Sequence, residues 1–94
     1  MLIFMLFYLY VIQSPSGKYY KGVSGHPMLR LQQHNSNEVQ STAYQGPWRF
    51  VGVIAFESKR EALIQERKLK KYSREKLETW LSGRENIAGE LTQE

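Results

Sequence analysis

Tyr10, Tyr20, Arg30, His34 and Glu66 are the side chains of this sequence whose types and spacing could do chemistry. Glu66 lies four after Ala62 and three before Leu69, so on a helix it shares their inward-facing stripe. A carboxylate at the edge of a core is costly unless it is paired, protonated or metal-bound. Glu66 therefore reads either as half of a salt bridge to a nearby Lys or Arg, or as a metal ligand. Arg30 and His34 are four apart and project from one side of a helix. By pattern alone Arg30 reads as an exposed helical arginine, and Tyr10 and Tyr20 read as sheet aromatics with hydroxyls at an edge. An ordinary tyrosine titrates near 10, so acting as a base at neutral pH requires a nearby cation or a metal-bound water. Lys18 and Lys21 are the cations closest in sequence. His26, just before Pro27, reads as a cap or loop residue, and no His–acid pattern supports a zinc site.

The elements that must position these groups follow from patterning. Residues 8–13 are aromatic and β-branched, as a buried strand should be. Ser14-Pro15-Ser16-Gly17 supplies a turn, and residues 18–24 return antiparallel, which makes a hairpin. Pro27 suits the first turn of a helix running to about residue 35, with His26 or Ser24 as its cap. Residues 36–47 are polar and read as an exposed loop. Residues 48–56 form the third strand, with Trp48, Phe50, Ile54 and Phe56 on one side and Val51, Val53 and Ala55 on the other. Both faces are apolar, which predicts a central strand covered above and below, with Gly52 marking a bulge or a close approach. Ser58 and Glu61 form a capping box for a helix to about residue 72; Ser73 caps another, with Leu77, Trp80 and Leu81 facing inward and Gly83 ending it. The fold class is α/β (α+β): a three-stranded, mostly antiparallel sheet flanked by helices in the order ββαβαα.

Ninety-four residues make one domain, expected over residues 1–83, with a disordered acidic tail over 84–94. With no cysteine, disulfides, thiolate nucleophiles and cysteine-ligated metal sites are excluded. The opening MLIFMLFYLYVI is too short to span a bilayer and lacks a basic start and a cleavage site, so it reads as a leading strand. A cytoplasmic protein without membrane association, more a monomer than an oligomer, is the expectation. The net charge is +4, but residues 59–76 alone carry eight basic residues against three acids. Such a block is a solvated helix face or a surface for a polyanion, nucleic acid being the usual one. Lys18, Lys21, Lys68, Lys70, Lys71 and Arg74 are the candidates for backbone contact.

Leu9-Tyr10-Val11 and Tyr20-Lys21-Gly22, followed by Arg30-Leu31-Gln32-Gln33-His34-Asn35, Pro47-Trp48 and the helix from Glu61 to Lys71, carry a family resemblance. The ordered set resembles the GIY-YIG nuclease domain, in particular small stand-alone bacterial members and the catalytic domain of the excinuclease C subunit. Leu9 stands where the first glycine is usual, Val11 follows Tyr10, and Lys21 replaces an isoleucine. The resemblance implies an endonuclease that hydrolyses DNA phosphodiesters with one divalent metal, Mg²⁺ or Mn²⁺. It implies catalytic roles for Tyr10, Tyr20, Arg30, His34 and Glu66, with Glu66 as the single protein ligand of the metal and Arg30 on the scissile phosphate. Either tyrosine is the proton acceptor. Many members also carry an asparagine after the ligand helix, and Asn86 is the one candidate downstream. Structure-selective cleavage in DNA repair or recombination is the finer expectation, with RNA also open as substrate. The rival expectations are a nucleic-acid-binding module with a degenerate active site, and an interaction protein that pairs through its apolar start.

Overall fold

The computed structural model describes residues 5–83 together with Asn86 and Ala88. Its elements are β1 (Phe7–Gln13), β2 (Tyr19–Ser24), α1 (Pro27–Asn35), a 3-10 turn (Gln40–Thr42), β3 (Arg49–Phe56), α2 (Lys59–Lys70) and α3 (Arg74–Leu81). The ββαβαα order and the three-stranded antiparallel sheet are those read from the sequence. No helix among the described residues is long and apolar enough to cross a membrane.

Local chemistry accounts for the boundaries. The hairpin turn closes through Gly17 N–H donating to the Ser14 carbonyl at 2.9 Å, with Gly17 at φ +92°, where a side chain would be strained. Ser58 accepts from Glu61 N–H and Ser73 from Lys76 N–H, so α2 and α3 both start on serine caps. Pro27 opens α1, but neither His26 nor Ser24 caps it through a side chain: the Ser24 hydroxyl instead accepts from His26 N–H, ahead of the helix.

The strand order is β2-β1-β3, so β1 is central and β3 lies at an edge. This corrects the expectation that residues 48–56 form the central strand. Successive side chains of β1 point to opposite faces, and both faces are covered. Tyr10 and Ile12 pack with Trp48, Phe50, Val53 and Ala88, with Leu31 of α1 against them. Leu9 and Val11 pack with Leu69 of α2 and Leu77 of α3. The side assignment along β3 also changes, because the β1–β3 register slips between Val11 and Ile12. Val11 faces Gly52 while Ile12 faces Phe50, leaving Val51 as the extra residue of a bulge. Trp48, Phe50 and Val53 thereby share one face, while Val51 and Phe56 join the other. Gly52 does both things expected of it: it sits at the bulge, and a Cβ there would collide with Leu81 of α3.

Asn86 accounts for the outer edge of β3. Its carboxamide accepts from Val53 N–H at 2.8 Å and donates to the Val51 carbonyl at 2.9 Å. One side-chain amide thus does what a neighbouring strand's peptide group would do, and it closes part of an exposed edge. Most of residues 84–94, expected to form a tail, lie outside the described residues; Asn86 and the buried Ala88 are packed against the sheet.

Candidate active site

The hairpin, α1 and the 3-10 turn meet around Tyr10. Tyr10 and Gly22 are partners in the β1–β2 register, and the Tyr10 ring lies across the glycine. A Cβ at Gly22 would sit 2.5 Å from the Tyr10 hydroxyl, so a side chain there displaces the ring. The Tyr10 hydroxyl is 2.9 Å from His34 Nε2, and His34 Nδ1 is 2.7 Å from the Thr42 hydroxyl. All three residues are buried to within 1% of full burial. The Tyr20 ring stands edge-on to His34, with centroids 4.8 Å apart, and lies 6.4 Å from the Tyr10 ring and 6.5 Å from Trp48. Tyr20 is half-buried, and its hydroxyl has no hydrogen-bond partner among the described residues. Tyr10, Tyr20 and His34, far apart in the chain, are therefore one cluster.

Burial sets the electrostatics of this cluster. It pushes the Tyr10 phenol up to about 12; hydrogen bonding from Arg30 pulls the other way, while Tyr20 and the Glu66 charge push further up. Burial also pushes His34 down to about 4, helped by the Arg30 charge. At neutral pH Tyr10 is thus a phenol and His34 a neutral imidazole. Arg30 is half-buried, and its Nη1 donates to Gln33 Oε1 at 2.9 Å.

Glu66 is on the α2 face that carries the buried Ala62 and Leu69, as the spacing predicts. Its carboxylate keeps 18% exposure and meets one cation, Lys70 Nζ, at 3.8 Å. Among the described residues no group of three or more His, Cys, Asp or Glu side chains could cage a metal ion. A single half-buried carboxylate held by one long ion pair fits a divalent ion that keeps waters and takes phosphate oxygens. It does not fit a four-ligand zinc centre.

The basic candidates separate into groups. Lys18, Lys68, Lys70 and Lys71 are exposed. Lys21 is half-buried, and its ammonium is pulled below the usual lysine range by burial and then by Lys70. Arg74 is engaged within the fold: it donates to the Gly17 carbonyl at 3.0 Å, pairs with Glu78 at 3.6 Å and lies 4.9 Å over the Tyr19 ring. It fastens α3 to the hairpin. Asn86 likewise spends its carboxamide on the backbone of residues 51, 53, 81 and 88.

Sequence reasoning missed Thr42. It sits in a polar tract with no apolar period, and its role exists only because the 3-10 turn folds back over α1. Two clasps hold that turn: the Asn35 side chain bonds both Trp48 N–H, at 2.6 Å, and the Trp48 carbonyl, at 3.1 Å, and Trp48 Nε1 donates to the Thr42 carbonyl at 3.2 Å.

Comparison with known proteins agrees with this geometry. The profile of the GIY-YIG catalytic domain matches residues 6–78. The UPF0213 protein BH0048 of Halalkalibacterium halodurans is 34% identical over 76 residues, which cover 80% of this chain and 81% of that protein. The solution NMR structure of the UPF0213 protein BH0048 from Bacillus halodurans is similar with a TM-score of 0.59 and 31% identity, over 94% of this chain and 95% of that one. The GIY-YIG domain is a nuclease domain, typically of endonucleases that use divalent metals. The matched span contains Tyr10, Tyr20, Arg30, His34 and Glu66, and this chain belongs to the GIY-YIG family.

Proposed function

We propose that this protein is a divalent-metal-dependent endonuclease that hydrolyses DNA phosphodiesters, with structure-selective cutting in repair or recombination as its role. The observation that carries the reading is the convergence of Tyr10, Tyr20 and His34 into one aromatic cluster, with the charges of Arg30 and Glu66 both acting on Tyr10. Arg30 holds two oxygens of the scissile phosphate and offsets the charge that builds as the phosphorus becomes five-coordinate. Glu66 is the protein's ligand for Mg²⁺ or Mn²⁺, and a bound ion supplies Lewis-acid polarisation of the phosphate.

Tyr20 and Tyr10 divide the remaining work. Tyr20 carries a phenol without a hydrogen-bond partner among the described residues, so it meets the attacking water. Its oxygen accepts the water's proton as its own proton leaves to solvent and the new O–P bond forms. The opposite P–O bond breaks, and the departing oxygen takes a proton from solvent. Tyr10, buried and hydrogen-bonded to His34, keeps its proton. The exposed Lys18, Lys68, Lys70 and Lys71 meet backbone phosphates, which predicts salt-dependent and largely sequence-independent affinity.

The test is cleavage of linear, nicked and branched DNA, with matched RNA, in Mg²⁺ or Mn²⁺ and in chelator, for wild type and Glu66→Gln. Metal-dependent cutting that is lost in Glu66→Gln supports the reading, and the best-cut structure identifies the substrate. Retained cutting by Glu66→Gln overturns the metal assignment. Salt-sensitive binding without cutting by either protein makes this a binding module.

A further inference from the structure

Thr42 ends a buried hydrogen-bond chain that runs through His34 to Tyr10. At one end the Val39 carbonyl can only accept, and the Thr42 hydroxyl donates to it at 3.3 Å. At the other end the Tyr10 hydroxyl has His34 Nε2 as its one hydrogen-bond acceptor among the described residues. Between these ends lie three protons: those of the Thr42 hydroxyl, one His34 ring nitrogen and the Tyr10 hydroxyl.

One arrangement gives each proton an acceptor. Thr42 donates to Val39, His34 Nδ1–H donates to Thr42, and Tyr10 donates to His34 Nε2. The other tautomer turns Nε2–H on the phenol oxygen and leaves the Tyr10 proton with no acceptor among the described residues, a costly state for a side chain 1% exposed.

We propose that Thr42 is a positioning residue that holds His34 in its Nδ1–H tautomer, so that Nε2 accepts the Tyr10 hydrogen bond and fixes that phenol beside Tyr20 in the cluster. The role rests on the phosphodiester-cleaving reading, which gives the cluster its reaction. Thr42 itself touches no substrate. Its hydroxyl acts through two intervening side chains. The main chain around it is held independently, by Thr42 N–H on the Val39 carbonyl at 3.1 Å and by Trp48 Nε1 on the Thr42 carbonyl. Removing the hydroxyl therefore changes the polarity of the chain and leaves the turn in place.

The experiment reads the His34 tautomer directly from its ring ¹⁵N shifts, and the Tyr10 side chain from its ring signals, in the free protein without metal or DNA. Wild type and Thr42→Ser are expected to show Nδ1–H and one sharp set of Tyr10 ring signals. Thr42→Val, of nearly the same shape but without the hydroxyl, is expected to lose the single tautomer and to broaden or shift the Tyr10 ring signals. In the cleavage assay kcat/KM falls about 3- to 10-fold in Thr42→Val, the loss of one buried hydrogen bond, and returns in Thr42→Ser. An Nε2–H tautomer in wild type overturns the proposal without any variant having to fold. Unchanged His34 and Tyr10 signals in Thr42→Val overturn it as well. Absence of cutting in every protein rejects the nuclease reading, while the tautomer result still decides the role of Thr42.

Discussion

The Tyr10 hydroxyl on the central strand and His34 Nε2 on α1 lie 2.9 Å apart across 24 positions of sequence, both closed to solvent. The contact joins an acid that burial makes weaker to a base that burial makes weaker, and it gives pH a grip on stability.

His34 binds its proton near pH 6.5 in the unfolded chain and only near pH 4 in the folded one. Between those values the unfolded state holds more protons, so acid favours unfolding. The contribution of a neutral His34 is complete above pH 6.5, falls away as pH drops towards 4, and changes no further below that. Its size is on the order of 3 kcal/mol. Urea unfolding at stepped pH checks the slope. His34→Gln is expected to flatten the part of the curve above the carboxylate range, and an NMR titration should place His34 well below the ordinary histidine value. A His34 that titrates near 6.5 would sink this account.

Gly22 tests the same pair from the other strand. A methyl group at this position meets the Tyr10 ring 2.5 Å from its hydroxyl oxygen, so Tyr10 or β2 has to move. Gly22→Ala is expected to destabilise by about 1–3 kcal/mol, the usual penalty of overpacking. Activity should fall by more than stability explains, because the Tyr10–His34 contact is displaced. Ultraviolet titration of the tyrosines provides the check: the phenol pushed up to about 12 should move towards 10 in the variant. An unmoved titration would mean that β2 yields and the ring does not.

These two tests mark where the sequence was readable. Order and type of elements followed from Pro27, from the serines at 58 and 73, and from the two tyrosine-bearing runs, because caps and turns act within a few residues. Three features were not legible. The apolar residues on both sides of β3 suggested a central strand, but β1 holds that place and a bulge at Val51 reassigns the faces. Thr42 has no signal of its own, since its burial is decided by the Asn35–Trp48 clasp. The Gly17 carbonyl and the Tyr19 ring that Arg74 meets on the hairpin lie far from it in sequence, so the basic run around it could not show them. In each case a contact distant in sequence overrides a local pattern.

Lys70 and a metal compete for one carboxylate. The Glu66–Lys70 pair is long, at 3.8 Å, and its lysine is 59% exposed. Such pairs are worth roughly 0.2–1 kcal/mol. Lys70→Gln should therefore lower the Mg²⁺ concentration needed for half-maximal activity by about 1.5- to 5-fold. Glu66→Gln should abolish the metal response altogether. Line broadening by Mn²⁺ gives the same comparison without DNA: signals around Glu66 should broaden at lower Mn²⁺ in Lys70→Gln and not at all in Glu66→Gln. Equal broadening in all three proteins would place the metal elsewhere.

Asn86 is predicted to matter for folding through the polarity of its amide. Its oxygen accepts from Val53 N–H and Ala88 N–H, and its nitrogen donates to the carbonyls of Val51 and Leu81. Asn86→Ala leaves the β3 edge to water and should cost about 1–3 kcal/mol. Asn86→Asp keeps the shape and the acceptor, but it turns a negatively charged oxygen towards two carbonyls. It should therefore be less stable than Asn86→Ala at neutral pH and should recover part of the difference once acid protonates the new carboxyl. Amide exchange at Val53 reports the bond itself and should accelerate most in Asn86→Ala, where the acceptor is gone. If Asn86→Asp were the more stable of the two at neutral pH, the carbonyl contacts would not be holding this edge.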